Sequence, residues 1–321
     1  MMTKRRVTLR LLPIAVVLGI TVAYRAEVVV ALQGVFKIGW IALLIFPLFW
    51  LWNHTAAIGW RTLVTATTRH PAPPSWRLAV IRLEAQAVNL VIPLGGVSGD
   101  VLRSSLLPRR HSDLAQNTAS VVLDTTASTV AGILFALLGL TLYGAFLPLE
   151  KNILALWFGL SLLMVGLLGS APSLLNRLAR FHRLRTEDAF GRFLAPFQAS
   201  EGLQSAFRRS VAWHLFERLL IAGEIWIIAR GLGQDIGIIE AFFATAVMAA
   251  LTMVFFFIPA QAGVAEGGMA LAFSVLGLTP TSGLTVALVR RGRQLVCGGI
   301  GLVFLFLRAG YPRYSTSRRT E

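Results

Sequence analysis

The sequence predicts an all-α integral membrane protein, and three observations carry that prediction. Hydrophobic residues make up 55% of the 321 and charged residues only 14%, whereas soluble domains carry about 25% charged residues. Apolar runs of membrane-crossing length recur from one end of the chain to the other, as the hydrocarbon thickness requires of spanning helices. Two of these runs break at a proline followed by glycines and an ionisable group, at Pro93 and at Pro259. The pattern predicts about eight transmembrane helices, two of them broken or re-entrant and arranged as a weak internal repeat. Residues 1–310 read as a single polytopic membrane domain, and 311–321 as a basic tail. Mean hydropathy is +0.69.

The net charge of +15 does not point to nucleic acid. The basic residues sit between apolar runs, where they orient a chain in a bilayer and attract anionic headgroups. The single cysteine, Cys297, lies in an apolar run, so no disulfide framework follows,.

In chain order, Lys4, Arg5, Arg6 and Arg10 precede an apolar stretch from Leu11 to Tyr24. Without a small-residue cleavage site it reads as an uncleaved first helix, with its N-terminus cytoplasmic in an inner membrane. A second span runs from about Ile38 to Trp60. Arg61, Arg69, His70, Arg77 and Arg82 then read as a basic cytoplasmic loop, stiffened by Pro71, Pro73 and Pro74. From Glu84 the chain is apolar to Pro93, then runs through Gly95, Gly96 and Gly99 into Asp100 and Arg103. Leu83 to Gly95 is too short to cross, since a span needs about 20 residues, so a re-entrant helix fits. Arg82, Gln86, Asn89 and Pro93 share one helical face by spacing.

Val121 to Phe146 is the next span, with Asp124 near its start, and Ile153 to Gly169 returns after a tight loop at Pro148, Glu150 and Lys151. Residues 171–210 read as a basic amphipathic cytoplasmic segment, or as a solvated loop. Val211 to Ile228 carries His214, Glu217 and Glu224 on one face, with Arg218 beside them. Charged groups at the centre of a spanning helix cost about 2.5–3.5 kcal/mol on insertion scales, so that face should look into protein or a wet cavity. Ile236 to Ile258 spans again and stops at Pro259. Gly263 and Glu266 follow, then a short apolar run, Met269 to Leu278. The last run, Leu284 to Leu307, contains Arg290, Arg291 and Arg293, and a basic terminus follows it, read as cytoplasmic.

The two breaks share a layout: Pro93 leads to Asp100 and Pro259 to Glu266, seven residues on in each case. Paired broken helices point to a transport site near the bilayer midplane. Helix N-termini after each break offer free N–H groups, and buried arginines grip phosphate through parallel hydrogen bonds. The candidate substrate-binding residues are therefore Asn89, Pro93, Gly96, Gly99, Asp100, Arg103, Asp124, Glu217, Glu224, Pro259, Gly263, Glu266, Arg290 and Arg291. Arg290 or Arg291 should pair with Glu266, Glu217 or Glu224; the other reading has Arg290 to Arg293 snorkelling to an interface. Asp124, Glu217 and Glu224 are candidates to carry protons, with downhill flow as the alternative.

Asn89-x-x-x-Pro93 running into Gly99-Asp100-Val-Leu-Arg103, with Pro259, Gly263-Val-x-Glu266 and an arginine in the last apolar run, resembles the flippase-like membrane domain of the lysylphosphatidylglycerol synthase family. The likeness runs from the first span to Leu307. It implies the lipid-translocating part without the aminoacyl-transferase domain of full-length members, and it does not imply lysyl transfer. The late motif reads Pro-Ala-Gln-Ala-Gly, with fewer glycines than the family's usual run.

The expected function is flipping or transport of an anionic or polar lipid, or of a lipid-linked intermediate, without enzymatic activity, cofactor or metal. Membrane lipids are the expected partners, together with another copy of the chain or a lipid or glycan synthesis enzyme. Two alternatives differ in class. Gly96-Val97-Ser98-Gly99 with His214 as base would make an intramembrane serine hydrolase, and a non-catalytic membrane scaffold would need no charged interior. His54, His70, His111, His182 and His214 fall at no metal-ligand spacing.

Overall fold

The structure is a computed structural model that describes residues 29, 33–34, 36–68, 71–92, 96–107, 114–143, 159, 162–163, 166, 170, 173, 202–255 and 263–310. The expected first helix, most of Ile153 to Gly169, most of the 171–210 segment, Pro93, Pro259 and the 311–321 tail lie outside those residues; 203–210, expected within that segment, instead open the helix that carries His214.

Eight α-helices stand among the described residues: α1, Ala42–Thr68; α2, Ser75–Val91; α3, Val97–Leu106; α4, Leu114–Tyr143; α5, Leu203–Gly231; α6, Ile238–Val254; α7, Val264–Val275; and α8, Pro280–Gly310. Phe36–Thr68 and Leu114–Tyr143 are long and apolar enough to cross a membrane. At 29 and 31 residues, α5 and α8 have the length but carry buried charge at their centres.

The helix boundaries follow from proline chemistry. Pro74 sits at the start of α2 with φ −59° and ψ 146°, a conformation its ring favours and from which a helix can begin but not be entered. Ile92, directly before Pro93, leaves the helix at φ −121° and ψ 84°, because the proline ring disfavours helical backbone in the preceding residue. Two expectations shift as a result. Arg61 belongs to α1, and Arg77 and Arg82 belong to α2; none lies in a loop. Asp124 sits eleven residues into α4 and is buried, because that helix begins at Leu114 and not at Val121.

The helices fall into two series. α1 to α4 have 27, 17, 10 and 30 residues. α5 to α8 have 29, 17, 12 and 31. α1 and α5 pack along one another in opposite directions: Trp52 meets Glu224, the Cβ position of Gly59 faces Trp213, and Thr62 bonds to the Ala206 carbonyl. α4 packs on α6, and α8 on α2. Both contacts are made by small residues. Gly139 of α4 sits against Ala246, and a Cβ on Gly301 of α8 would come within 2.6 Å of the Leu83 carbonyl. Lipid tails are as apolar as leucine, so helices in a bilayer gain from such close approach rather than from the hydrophobic effect.

Candidate functional site

Both short helices begin in the same way. Gly96 stands before α3 at φ +89°, ψ −18°, and Gly263 before α7 at φ +79°, ψ −18°. This left-handed backbone is open to glycine and costly for residues with a Cβ. Asp100 and Glu266 follow in the first turns, where a carboxylate meets the positive end of the helix dipole.

Gly96 has no side chain to cap α3, and Asn89 of α2 does so from across the break. Its Oδ1 accepts from the Gly99 N–H at 2.7 Å and from the Ser98 hydroxyl at 2.7 Å. Gly99 must be glycine for this contact, since a Cβ there would lie 2.8 Å from the Ala85 carbonyl and 2.6 Å from Asn89 Nδ2. Asn89 and Gly99 therefore hold the break together, and the Ser98 hydroxyl is spent on Asn89 and on the Ile92 carbonyl at 2.6 Å. His214 is engaged elsewhere, so the Ser98–His214 pair expected of a hydrolase is not formed.

A first charge cluster gathers on Asp124, 1% exposed. Its Oδ2 accepts from Arg82 at 3.2 Å and from Arg103 Nη2, and its Oδ1 lies 3.0 Å from His214 Nε2. His214 Nδ1 is 2.7 Å from Glu217 Oε2, and Arg82 reaches Glu217 at 3.7 Å. At the rim, Arg103 bonds to Asp100 at 3.1 Å, and the Thr125 hydroxyl donates to Asp100 at 3.0 Å. The Arg103 guanidinium lies 4.2 Å from the centre of the Trp60 ring, a cation–π contact that offsets part of its desolvation. Helices α2 to α5 supply the charged groups at this point and α1 supplies Trp60.

A second cluster gathers on Glu224, two turns further along α5 and fully buried. Trp52 Nε1 donates to it at 3.2 Å, Arg293 Nε lies 2.8 Å away and Arg290 Nε 3.8 Å away. Arg291 pairs with Glu266 at 3.7 Å. Phe49 and Trp52 lie under the Arg293 guanidinium at 4.6 and 5.4 Å. Arg218, Glu266, Arg290, Arg291 and Arg293 line a cavity of about 200 Å³ between α5, α6, α7 and α8. Four arginines thus share two glutamates, Glu224 and Glu266. The buried Arg218 Nε and Arg293 Nη1 have no hydrogen-bond partner among the described residues, and unpartnered buried donors are costly unless something fills them.

The structure brings Arg290 to Glu224 and Arg291 to Glu266, the partners expected of them. Arg291 is buried and Arg290 partly buried in the middle of α8, and both turn to partners on neighbouring helices and not to the helix ends. The single charged site expected from Asp100, Arg103, Glu266 and Arg290 is instead two clusters joined along α5 by Glu217, Arg218 and Glu224. Arg103 bonds to Asp124 as well as to Asp100. Arg82, His214, Arg218 and Arg293 were absent from the expected set. Arg82 shares the 3.6-residue face of Gln86 and Asn89, and Arg293 follows Arg290 by three, so both left a signal. Nothing in the sequence marks Trp52 or Trp60 as their aromatic floor.

A helical membrane domain with two short helices that begin at left-handed glycines beside buried ion clusters is the class of protein that this fold and site define. The chain belongs to the family described as lysylphosphatidylglycerol synthase TM region, whose model matches residues 7–301. No curated protein and no solved structure matches it.

Proposed function

We propose that this protein moves the headgroup of an anionic lipid or lipid-linked intermediate across the membrane. The observation that carries the reading is the arginine-lined cavity at Glu266. Guanidinium groups suit phosphate because their donors match two oxygens at once. Ligand pockets for drug-sized molecules run about 300–1,000 Å³, so a cavity of about 200 Å³ suits a headgroup whose tails stay in the bilayer.

The two helix series support an inverted repeat, α1–α4 and α5–α8. The equivalent first helices run antiparallel, and the paired contacts α4 on α6 and α8 on α2 are exchanged between halves. Such repeats place substrate between broken helices and give alternating access by movement of one half against the other. With residues 11–24 and 153–169 as further spans and the α2–α3 and α6–α7 pairs both re-entrant, both termini lie on the cytoplasmic side of an inner membrane. The lipid would reach the cavity from a membrane-bound synthesis enzyme.

The test is reconstitution into vesicles with a panel of fluorescent lipids and a dithionite-quenching readout. Anionic phospholipids should exchange between leaflets faster than in protein-free vesicles, and faster than zwitterionic ones. Equal exchange with and without protein for every lipid would overturn the reading.

A further inference from the structure

The first cluster carries more than structure. His214 is fully buried, and both of its ring nitrogens face carboxylate oxygens: Nε2 to Asp124 at 3.0 Å and Nδ1 to Glu217 at 2.7 Å. A neutral imidazole has one N–H and one lone pair, and an ionised carboxylate only accepts. With His214 neutral and both acids ionised, one of these contacts would oppose two lone pairs in a buried site. The geometry therefore requires one proton more than that state contains, carried by the imidazole or by one of the two acids.

The groups facing His214 are Asp124 from α4, Glu217 from α5 itself, Arg82 from α2 and, through Asp124, Arg103 and Asp100 from α3, with Arg218 beside Glu217 on α5. Each carboxylate already meets a guanidinium, so the two ring-nitrogen contacts, and not the net charge, require the extra proton. α1 adds no charge, as its His54 lies on Ser75 at 3.3 Å and its Arg61 is exposed. α6 and α8 meet α5 further along, where Arg290 and Arg293 turn to Glu224 and Glu240 lies against Tyr143.

Loss of this proton also has a mechanical consequence. His214 joins α5 to α4 through Asp124, while Glu217 belongs to α5. A neutral ring can keep only one of the two bonds as N–H donor. If it keeps Glu217, the α4–α5 bond is lost. If it keeps Asp124, Glu217 turns to Arg82. Arg218 lies next to Glu217 and lines the arginine cavity, so either outcome is felt at the proposed headgroup site.

We propose that Asp124, His214 and Glu217 form a binding site for one proton, and that this proton is coupled to headgroup movement, so that lipid transport is proton-linked. The binding site stands on its own geometry, and the coupling rests on the transport reading above.

Two measurements separate these parts. The first is ¹⁵N-histidine NMR on the full chain in lipid nanodiscs, with His54, His70, His111 and His182 replaced by Gln so that His214 alone reports. Signals of an N–H on both ring nitrogens at pH 7, lost in Asp124→Asn, are expected. A single-tautomer neutral ring at pH 7, with no proton on either acid by infrared carboxyl absorption, would overturn the proton site. The second is transport of fluorescent phosphatidylglycerol in phosphatidylcholine vesicles under an imposed pH gradient. Where protonation limits the rate, one pH unit should change it by about tenfold, an effect abolished by ionophore and absent in His214→Gln. Lipid movement indifferent to the gradient in the unsubstituted protein would overturn the coupling. No lipid movement at any pH would remove the transport reading and the coupling with it, leaving the NMR result to decide the proton site.

Discussion

Asp124→Asn and Asp100→Asn form the sharpest pair of perturbations, because the two carboxylates share Arg103 but differ in burial. Asp124 is 1% exposed and holds two guanidinium groups and an imidazole. The side chain of Asp100 is 35% exposed and holds Arg103 and Thr125. Removing one partner of a buried ion pair costs about 3–5 kcal/mol because a charge is left unpaired. In Asp124→Asn that cost is softened, since Arg103 keeps Asp100, and Arg82 and His214 keep Glu217. A loss of about 2–4 kcal/mol is expected on that basis. Asp100→Asn breaks a half-exposed pair and should cost at most about 1 kcal/mol. Both are read by thermal unfolding of the purified protein in one detergent, with fluorescence-detected size exclusion to check that it stays monodisperse. Equal unfolding temperatures for Asp124→Asn and the unsubstituted protein would refute the buried network. A larger loss for Asp100→Asn than for Asp124→Asn would refute the assignment of its centre.

Three further outcomes follow from the same geometry. Gly99→Ala should destabilise by about 1–3 kcal/mol, from overpacking and a lost cap less the gain in helix propensity; Gly267→Ala, with nothing near its Cβ position, should be neutral or stabilising in the same thermal assay. Arg291→Gln should slow anionic lipid transport about ten- to hundredfold, since a hydrogen bond to a charged group contributes about 1.5–3 kcal/mol, and Arg291→Lys should restore only part of it because the ammonium cannot bind two oxygens in parallel. Ser98→Ala should leave transport within about twofold, as its hydroxyl serves only local bonds worth about 1 kcal/mol; loss of an esterase or protease activity in this variant would favour the hydrolase reading.

The sequence made the membrane class, the two breaks and most charged site residues legible, for reasons specific to those residues. Pro93 constrains backbone wherever it stands, so the end of α2 could be read directly, whereas the arginines after Pro74 read as a loop and hid the start of that helix. Gly96 and Gly263 were visible as breaks, and their matching left-handed backbone follows from the absence of a Cβ. Helix starts far from a proline were harder. Leu114 begins α4 seven residues before the apolar run becomes continuous, because Gln116, Asn117 and Ser120 are polar residues inside the helix. That error hid the depth of Asp124 and so the separation into two clusters. The join between α1 and α5 was not legible at all. Thr62, Gly59 and Trp52 meet residues more than 140 positions away, and no local pattern encodes such a contact.

The central claim is that an anionic headgroup occupies the arginine cavity at Glu266. The most direct test is a cryo-electron microscopy structure in nanodiscs containing phosphatidylglycerol. Phosphate density within hydrogen-bond distance of Arg218, Arg291 or Arg293, absent in Arg291→Gln nanodiscs of the same composition, is the result the account predicts. An empty cavity beside well-ordered lipid held elsewhere on the protein would contradict it.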